Sequence, residues 1–165
     1  WKRGDLTPAI EDGIAEGIAD AVKYAEDNDV VLCMENEHAC YLGTGTETAR
    51  LLGRFNSPAL RAVWDPGNAF MAGEKAFPDG YRAIRNFIDH VHVKDAELLV
   101  AGTKRFVVIG EGEIGYNAQF QALKSDGYED YISLETHYTP FAGTKEQGSR
   151  LCLQALNKLL ADCGS

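Results

Sequence analysis

The sequence lacks any apolar run near the roughly 18 residues that a membrane-spanning helix needs, and its N-terminus lacks a signal-peptide pattern. We therefore expect a cytoplasmic protein with no membrane partner. Cysteine is also sparse, and no two cysteines have the CxxC spacing of a metal or redox motif: Cys33, Cys40, Cys152 and Cys163. This usage is typical of incidental thiols in a reducing compartment.

Positive charge is scarce as well. The chain has 16 Lys and Arg residues against 25 Asp and Glu residues, which gives a formal net charge of -9 over 165 residues. Nucleic acids and anionic membranes both attract proteins that present a basic face. We therefore expect no nucleic-acid partner. A small anionic substrate stays compatible with this charge, because a few cations can dominate locally.

Short apolar runs alternate with amphipathic segments along the chain. A hydroxyl side chain at Thr7 followed by Pro8 marks a helix start, and apolar residues then recur at helical spacing as far as Ala25. The predicted strands are 30–34, 60–64, 87–93 and 131–134, and the later predicted helices are 46–55, a segment after Pro78, 116–125 and 144–161. This alternation predicts a parallel α/β sheet.

Two features concern the organisation of the chain. We expect residues 1–165 to form a single domain, in which the segment 98–112 is a small hairpin or an irregular loop. The first residue is Trp1 instead of a methionine. This start suggests a fragment, a processed product or an incomplete gene.

Each predicted strand is apolar until its carboxyl-terminal end, where an ionisable residue follows. The carboxyl ends of parallel strands share one face, so four distant residues would converge there: Glu35, Asp65, His92 and Glu135. Three adjacent carboxylates repel one another, and a bound divalent cation removes that repulsion. Three carboxylates and one imidazole favour Mn²⁺, Mg²⁺ or Co²⁺, whereas Zn²⁺ is less natural without thiolates.

Strand alternation adds further residues to the same side of the sheet. If His92 and Glu135 point inward, so do His90 and Ser133 below them and Lys94 and His137 above them. An inward lysine beside a metal is costly unless it binds an anion or an oxyanion, which makes Lys94 a candidate functional residue. The rim residues Glu37 and His137 could contact solvent or substrate. His90 is more typical of a satisfied interior histidine than of a metal ligand.

Five segments, in order along the chain, resemble a known family. They are 34–36 (MEN), 64–68 (WDPGN), 90–95 (HVHVKD), 110–114 (GEGEI) and 127–135 (GYEDYISLE). Together they resemble the sugar phosphate isomerase/epimerase family of xylose isomerase-like TIM barrels. The resemblance runs over nearly the whole chain and corresponds to the C-terminal half of such a barrel, with four of its eight strands.

The resemblance implies that Glu35, Asp65, His92 and Glu135 bind one divalent metal ion. The implied activity is isomerisation or epimerisation of a keto sugar, sugar phosphate or related polyol, by proton transfer through a metal-bound enediolate. Glu35 and Glu135 would exchange the proton on opposite faces of the substrate, and Lys94 would steady an oxyanion or a phosphate. An inosose-type dehydratase on the same site, and an inactive half-barrel fragment or scaffold that keeps the metal site, are the alternatives.

The sequence departs from the family at several points. The metal-binding aspartate is often followed three residues later by a histidine, and here that residue is Asn68. We expect Asn68, Lys94, Glu37 and His137 to bind the substrate. A nuclease resembling endonuclease IV needs more histidines than the four present, and the expected function is therefore not nucleolytic.

The length of the chain fits only half of a barrel. An open half-barrel would expose an apolar inner surface and two sheet edges, which soluble proteins avoid. We therefore expect completion of the barrel by a second copy in a homodimer, or by a complementary half-barrel chain.

Overall fold

The computed structural model describes residues 4–164. Its six strands are β1 (Leu32–Glu35), β2 (Leu60–Trp64), β3 (Ile88–Val93), β4 (Asp95–Leu98), β5 (Lys104–Val107) and β6 (Ile132–Leu134). Four of them form one parallel sheet in the order β1-β2-β3-β6, and β4 and β5 form a separate antiparallel ribbon. The predicted four-stranded parallel α/β fold is confirmed, and the segment after β3 contains the small hairpin.

Helices connect these strands. They are α1 (Pro8–Asp27), α2 (Gly45–Phe55), α3 (Pro66–Ala72), α4 (Tyr81–Ile84), α5 (Tyr116–Ser125) and α6 (Lys145–Gly164). A π-helical turn (Ala76–Gly80) precedes α4, and a 3₁₀ turn (Arg85–Phe87) follows it. None of the described helices is long and apolar enough to cross a bilayer.

Side-chain caps fix where the helices begin. The Thr7 hydroxyl oxygen accepts a hydrogen bond from the backbone N–H of Ile10 at 3.4 Å, as the sequence predicted. Thr44 and Glu47 form a reciprocal capping box at the start of α2. These local contacts explain why the predicted and observed helix starts agree to within one or two residues.

The helix α3 was not predicted, because the residues after β2 were interpreted as a polar strand end. Asp65 caps this helix by accepting the backbone N–H of Asn68 at 2.7 Å, and Pro66 occupies its first turn. Gly67 is required here, since a Cβ atom at this position would lie 2.7 Å from the backbone oxygen of Lys94. The chain therefore turns into α3 directly against the end of β3.

The core lies between one face of the parallel sheet and the helices. Residues of β2 and β3 that face the helices are almost completely buried: Ala62, Trp64, Val91 and Val93. The Trp64 indole N–H donates to the side-chain oxygen of Gln119 in α5 at 3.0 Å, and the Gln119 amide donates to the backbone oxygen of Ile114 at 3.0 Å. Gln119 therefore provides the polar link between the core tryptophan and the loop before α5.

The opposite, inner face of the sheet is mainly polar. His90 contacts the Ser133 hydroxyl at 2.8 Å, the Arg61 guanidinium lies 3.7 Å from Asp89, and the Cys33 thiol lies 3.8 Å from Asp89. The expectation of an exposed apolar inner surface is therefore wrong, because polar groups pair across neighbouring strands. The expected sheet edges are present, since among the described residues β1 and β6 each pair on one side only.

Replacing Gln119 with Met should lower the free energy of unfolding by about 1–3 kcal/mol, because the buried Trp64 N–H would lose its acceptor. Urea denaturation monitored by tryptophan fluorescence measures this change. The matched control is Gln121→Met on the exposed side of α5, which should alter stability by less than about 0.5 kcal/mol. Equal unfolding midpoints for the two variants would contradict the expectation.

Candidate metal centre

The four residues predicted to bind a metal converge at the carboxyl end of the parallel sheet. Glu35 ends β1, Asp65 follows β2, His92 lies in β3 and Glu135 follows β6. One potential ligand atom from each residue lies within 4.8 Å of the other three. The His92 Nδ1 atom is 3.1 Å from Glu35 Oε1 and 3.7 Å from Glu135 Oε2. The structure therefore brings together residues that are up to 100 positions apart in the sequence.

Lys94 lies directly beside these carboxylates. Its Nζ atom is 3.0 Å from Asp65 Oδ2 and donates a hydrogen bond to Glu135. The Lys94 side chain is 1% exposed, and that of Asp65 is completely buried. Lys94 thus balances part of the negative charge of the cluster from a position beneath its surface.

The electrostatic environment separates the protonation of the two carboxylates that contact Lys94. Burial raises the pKa of Asp65 to about 7, although the charge of Lys94 opposes this shift. Partial burial would also raise the pKa of Glu135, but the hydrogen bond and charge of Lys94 lower it to about 2. The hydrogen bond with Glu35 raises the pKa of His92. Of these two carboxylates, Glu135 is thus the one that remains ionised over the wider pH range.

The donor set fits a divalent cation. Asp65 Oδ2 is buried and accepts no well-directed hydrogen bond, in spite of the Lys94 ammonium 3.0 Å away. A buried carboxylate oxygen whose hydrogen bonding is incomplete is costly, and a divalent cation would complete its coordination. Three carboxylates and one imidazole provide hard oxygen ligands and a nitrogen ligand at one point.

Asn68 connects the cluster to the loop after β1. Its amide nitrogen donates to Glu35 Oε1 at 3.1 Å and approaches Glu37 Oε2 at 3.4 Å, and its amide oxygen lies 2.8 Å from His38 Nδ1. His38 Nδ1 is also 2.8 Å from Glu37 Oε1. His38 was missed by the sequence reasoning, although it is one of four histidines and follows Glu35 by three residues.

The other rim residue, His137, is held by two contacts. Its Nε2 atom lies 3.3 Å from Glu135 Oε1, and its ring centroid lies 4.6 Å from that of Phe106 in β5. The β4–β5 hairpin therefore forms one wall of the site next to Glu135. His90 contacts Ser133 below the cluster, in agreement with the interpretation of His90 as an interior histidine.

Asp95 anchors the segment that follows the hairpin. Its buried carboxylate accepts backbone N–H groups of Ala96 at 2.9 Å, Gly110 at 2.7 Å and Gly112 at 3.1 Å. A Cβ atom at Gly112 would lie only 2.2 Å from Asp95 Oδ1, which explains the glycine at this position. Burial raises the pKa of Asp95, and the backbone donors oppose that shift. Asp95 thus has a structural role in the wall of the site.

Mn²⁺ should bind more weakly at pH 6 than at pH 8. Below its pKa of about 7 the Asp65 carboxyl carries a proton, and the raised pKa of His92 adds a second proton that the metal must displace. For one displaced proton we expect up to about tenfold weaker binding per pH unit. Isothermal titration calorimetry in buffers of different ionisation enthalpy measures the affinity and the protons released. Equal affinities at the two pH values would contradict this assignment.

Replacing Lys94 with Met should lower the free energy of unfolding of the metal-free chain by about 3–5 kcal/mol at pH 8, because Asp65 would lose its buried partner. The loss should shrink towards pH 5, since Asp65 then carries a proton and needs no cation. Urea denaturation at both pH values, with and without Mn²⁺, measures the effect. Lys158→Met on the exposed side of α6 is the control, and an equal loss in both variants would refute the charge-balancing role of Lys94.

Comparison with known proteins places this geometry in a family. The model of the xylose isomerase-like TIM barrel family matches residues 2–159. An inosose dehydratase from Geobacillus thermodenitrificans is 29% identical over 118 residues, which cover 61% of this chain and 39% of that protein. The chain spans about half of the length, or less, of the curated relatives that it matches.

Solved structures agree on the fold. A structure of the IOLI protein with a bound zinc atom has a TM-score of 0.74 and 18% identity, and the match covers 98% of this chain and 60% of that one. L-ribulose 3-epimerase has a TM-score of 0.74 and 15% identity, with 98% of this chain and 58% of that one covered. The family match over residues 2–159 and this shared fold show that the chain belongs to the xylose isomerase-like TIM barrel family.

Proposed function

We propose that this chain provides the metal-binding half of an enzyme that isomerises or epimerises a keto sugar, a sugar phosphate or a related polyol. The observation that carries the proposal is the convergence of Glu35, Asp65, His92 and Glu135 within 4.8 Å at the carboxyl end of the sheet. Active sites of TIM barrels lie at this end of the strands. Fold alone does not determine a reaction, whereas the chemistry of these four side chains limits which reactions are possible.

One divalent cation would be held by these four residues, and Mn²⁺, Mg²⁺ or Co²⁺ suits the three carboxylates better than Zn²⁺ does. The zinc atom bound by the structurally similar IOLI protein keeps Zn²⁺ among the candidates. When bound, the cation would polarise a carbonyl oxygen and so acidify the neighbouring C–H group.

The residues of this chain would then move the proton. Glu35 Oε1 and Glu135 Oε2 lie 3.1 Å and 3.7 Å from the His92 Nδ1 atom. We assign these two carboxylates to accept and return a proton on different faces of a substrate. Lys94 holds Glu135 in its ionised form, which is the form that accepts a proton. We assign Lys94 to the stabilisation of negative charge that develops on the substrate oxygen.

Substrate hydroxyl groups would be bound by polar residues at the rim of the site. Asn68 contacts Glu35, and His137 contacts Glu135, so both lie beside the residues assigned to proton transfer. The side chains of Glu37 and His137 are both more than a third exposed. We therefore retain Glu37 and His137 as candidate substrate-binding residues at the rim. Asn68 and Lys94 are almost completely buried beneath them, so a substrate group would contact these two candidates only inside the cluster.

Dehydration of an inosose-type polyol is the second candidate reaction. It is favoured by the sequence similarity to inosose dehydratases, which reaches 29% identity. Both reactions begin by removing a proton next to a carbonyl group, and they differ only in the next step. An epimerase returns a proton to the same carbon, whereas a dehydratase releases the neighbouring hydroxyl group as water.

The chain supplies four strands, and a closed barrel needs eight. We propose that the open edges of β1 and β6 pair with a complementary half-barrel chain, or with a second copy in a homodimer. Such pairing would also close the polar inner face around Arg61 and His90. Without it, the chain would be an inactive half-barrel scaffold that retains the metal site.

Incubation with Mn²⁺ and a keto polyol in D₂O tests the proposed function. We expect deuterium to enter the carbon next to the carbonyl, as measured by ¹H NMR, and Glu135→Gln should slow this exchange at least about 100-fold. Glu16→Gln, on the exposed surface of α1, is the control. Sedimentation equilibrium on the same sample identifies the assembly that is active.

The products separate the candidate reactions. Deuterium incorporation with inversion or carbonyl migration supports an epimerase or isomerase, and loss of water supports a dehydratase. A chain that binds Mn²⁺ but exchanges no deuterium would overturn the enzymatic proposal in favour of the scaffold. Failure to bind Mn²⁺ at millimolar concentration would overturn the metal site itself.

A further inference from the structure

We infer that His38 is a positioning residue that orients Asn68 and, through it, the carboxylate of Glu35. This inference deepens the proposed function, since Glu35 is one of its two proton-transfer groups. The observation behind it is a chain of polar contacts from the loop after β1, through α3, to the metal-binding cluster: His38 to Asn68 at 2.8 Å, and Asn68 to Glu35 at 3.1 Å.

The Asn68 side chain has one orientation that suits its neighbours. Its side chain is completely buried and faces carboxylate oxygens of Glu35 and Glu37 on one side. Ionised carboxylates only accept hydrogen bonds, so the amide must present its NH₂ group to them. The amide oxygen then faces His38 Nδ1. A flipped amide would place its oxygen against both carboxylates.

This orientation determines which nitrogen of His38 carries a hydrogen. Both neighbours of His38 Nδ1, the Asn68 amide oxygen and Glu37 Oε1, are acceptors, and each lies at 2.8 Å. Nδ1 must therefore carry a hydrogen and donate a hydrogen bond. In the neutral ring, Nε2 is then the nitrogen that carries no hydrogen. A histidine with bare Nδ1 would favour the flipped amide and break the contact to Glu35.

The arrangement fixes one oxygen of Glu35 from two sides. Glu35 Oε1 accepts from the Asn68 amide at 3.1 Å and lies 3.1 Å from His92 Nδ1. Partners that lie one step behind metal ligands orient those ligands and tune their affinity. His38 does not contact Glu35 in this chain of contacts. It orients the Asn68 amide, which in turn donates a hydrogen bond to Glu35.

The tautomer of His38 tests the inference in the metal-free chain. We expect long-range ¹H–¹⁵N spectra of the ¹⁵N-labelled chain at pH 8 to show a protonated Nδ1 and a bare Nε2 for His38. The His38 signals are assigned by their loss in His38→Gln. The Asn68 NH₂ signals should be protected from exchange in the original chain and in His38→Gln, whose amide can still donate, but not in His38→Ala. A protonated Nε2 with a bare Nδ1, or unchanged protection in His38→Ala, would overturn the inference.

Mn²⁺ affinity provides a second readout. We expect His38→Ala to weaken binding by about tenfold, at the lower end of the effect of partners behind a ligand, and His38→Gln to stay within about twofold. Tyr41→Ala, an exposed residue of the same loop, is the control and should bind like the original chain. Equal affinities for His38→Ala and Tyr41→Ala would overturn the inference.

The two readouts distinguish this inference from the proposed function. If the original chain binds no Mn²⁺, the proposed function fails, while the tautomer and the protection of Asn68 still decide the role of His38. If Mn²⁺ binds to the original chain but His38 carries no hydrogen on Nδ1, the metal site stands and the inference about His38 fails.

Discussion

Three carboxylates brought to one end of a parallel sheet need a balancing positive charge, and the surrounding structure depends on how Lys94 supplies it. The strand order places Glu35, Asp65 and Glu135 beside one another, and like charges at such distances repel. Lys94 lies 3.0 Å from Asp65 and donates a hydrogen bond to Glu135. The protein can therefore keep these carboxylates together both with and without a bound divalent cation.

Neighbouring residues accommodate this buried lysine. A Cβ atom at position 67 would lie 2.6 Å from Lys94 Cγ, so glycine at the start of α3 leaves room for the side chain. The hydroxyl group of Tyr116 donates to the backbone oxygen of Lys94 at 2.6 Å and accepts its backbone N–H at 3.1 Å. The backbone of Lys94 is thus held by the first residue of α5, while its side chain reaches the carboxylates. Lys94 therefore links helix α5, which covers the sheet, to the charge balance of the site.

Much of this arrangement could be predicted from the sequence. The strands end in ionisable residues, and parallel topology requires those ends to meet, so the four candidate ligands followed from their order along the chain. Helix α3 and the role of Asp65 as its cap could not be predicted from the periodicity of apolar residues. The helix α3 has only seven residues, too few for a helical pattern, and its cap, Asp65, was interpreted only as a ligand. In the structure Asp65 Oδ1 caps the helix, and Oδ2 faces Lys94 within the candidate metal centre.

The inner face could be predicted only in part. Strand alternation placed His90 and Ser133 there, but the contact between Asp89 and Arg61 depends on a register shift between Ala62 and Val63 that alternation does not reveal. A similar limit applies to Asn68. Its presence where the resemblance predicts a histidine seemed to remove an imidazole from the site. In the structure an imidazole is present, because the loop after β1 brings His38 to within 2.8 Å of the Asn68 amide. An amide cannot change its charge, so any proton movement on this side of the site must involve Glu35, Glu37 or His38. The imidazole on this side of the site therefore lies on a loop, where its contacts to Asn68 and Glu37 hold it in place.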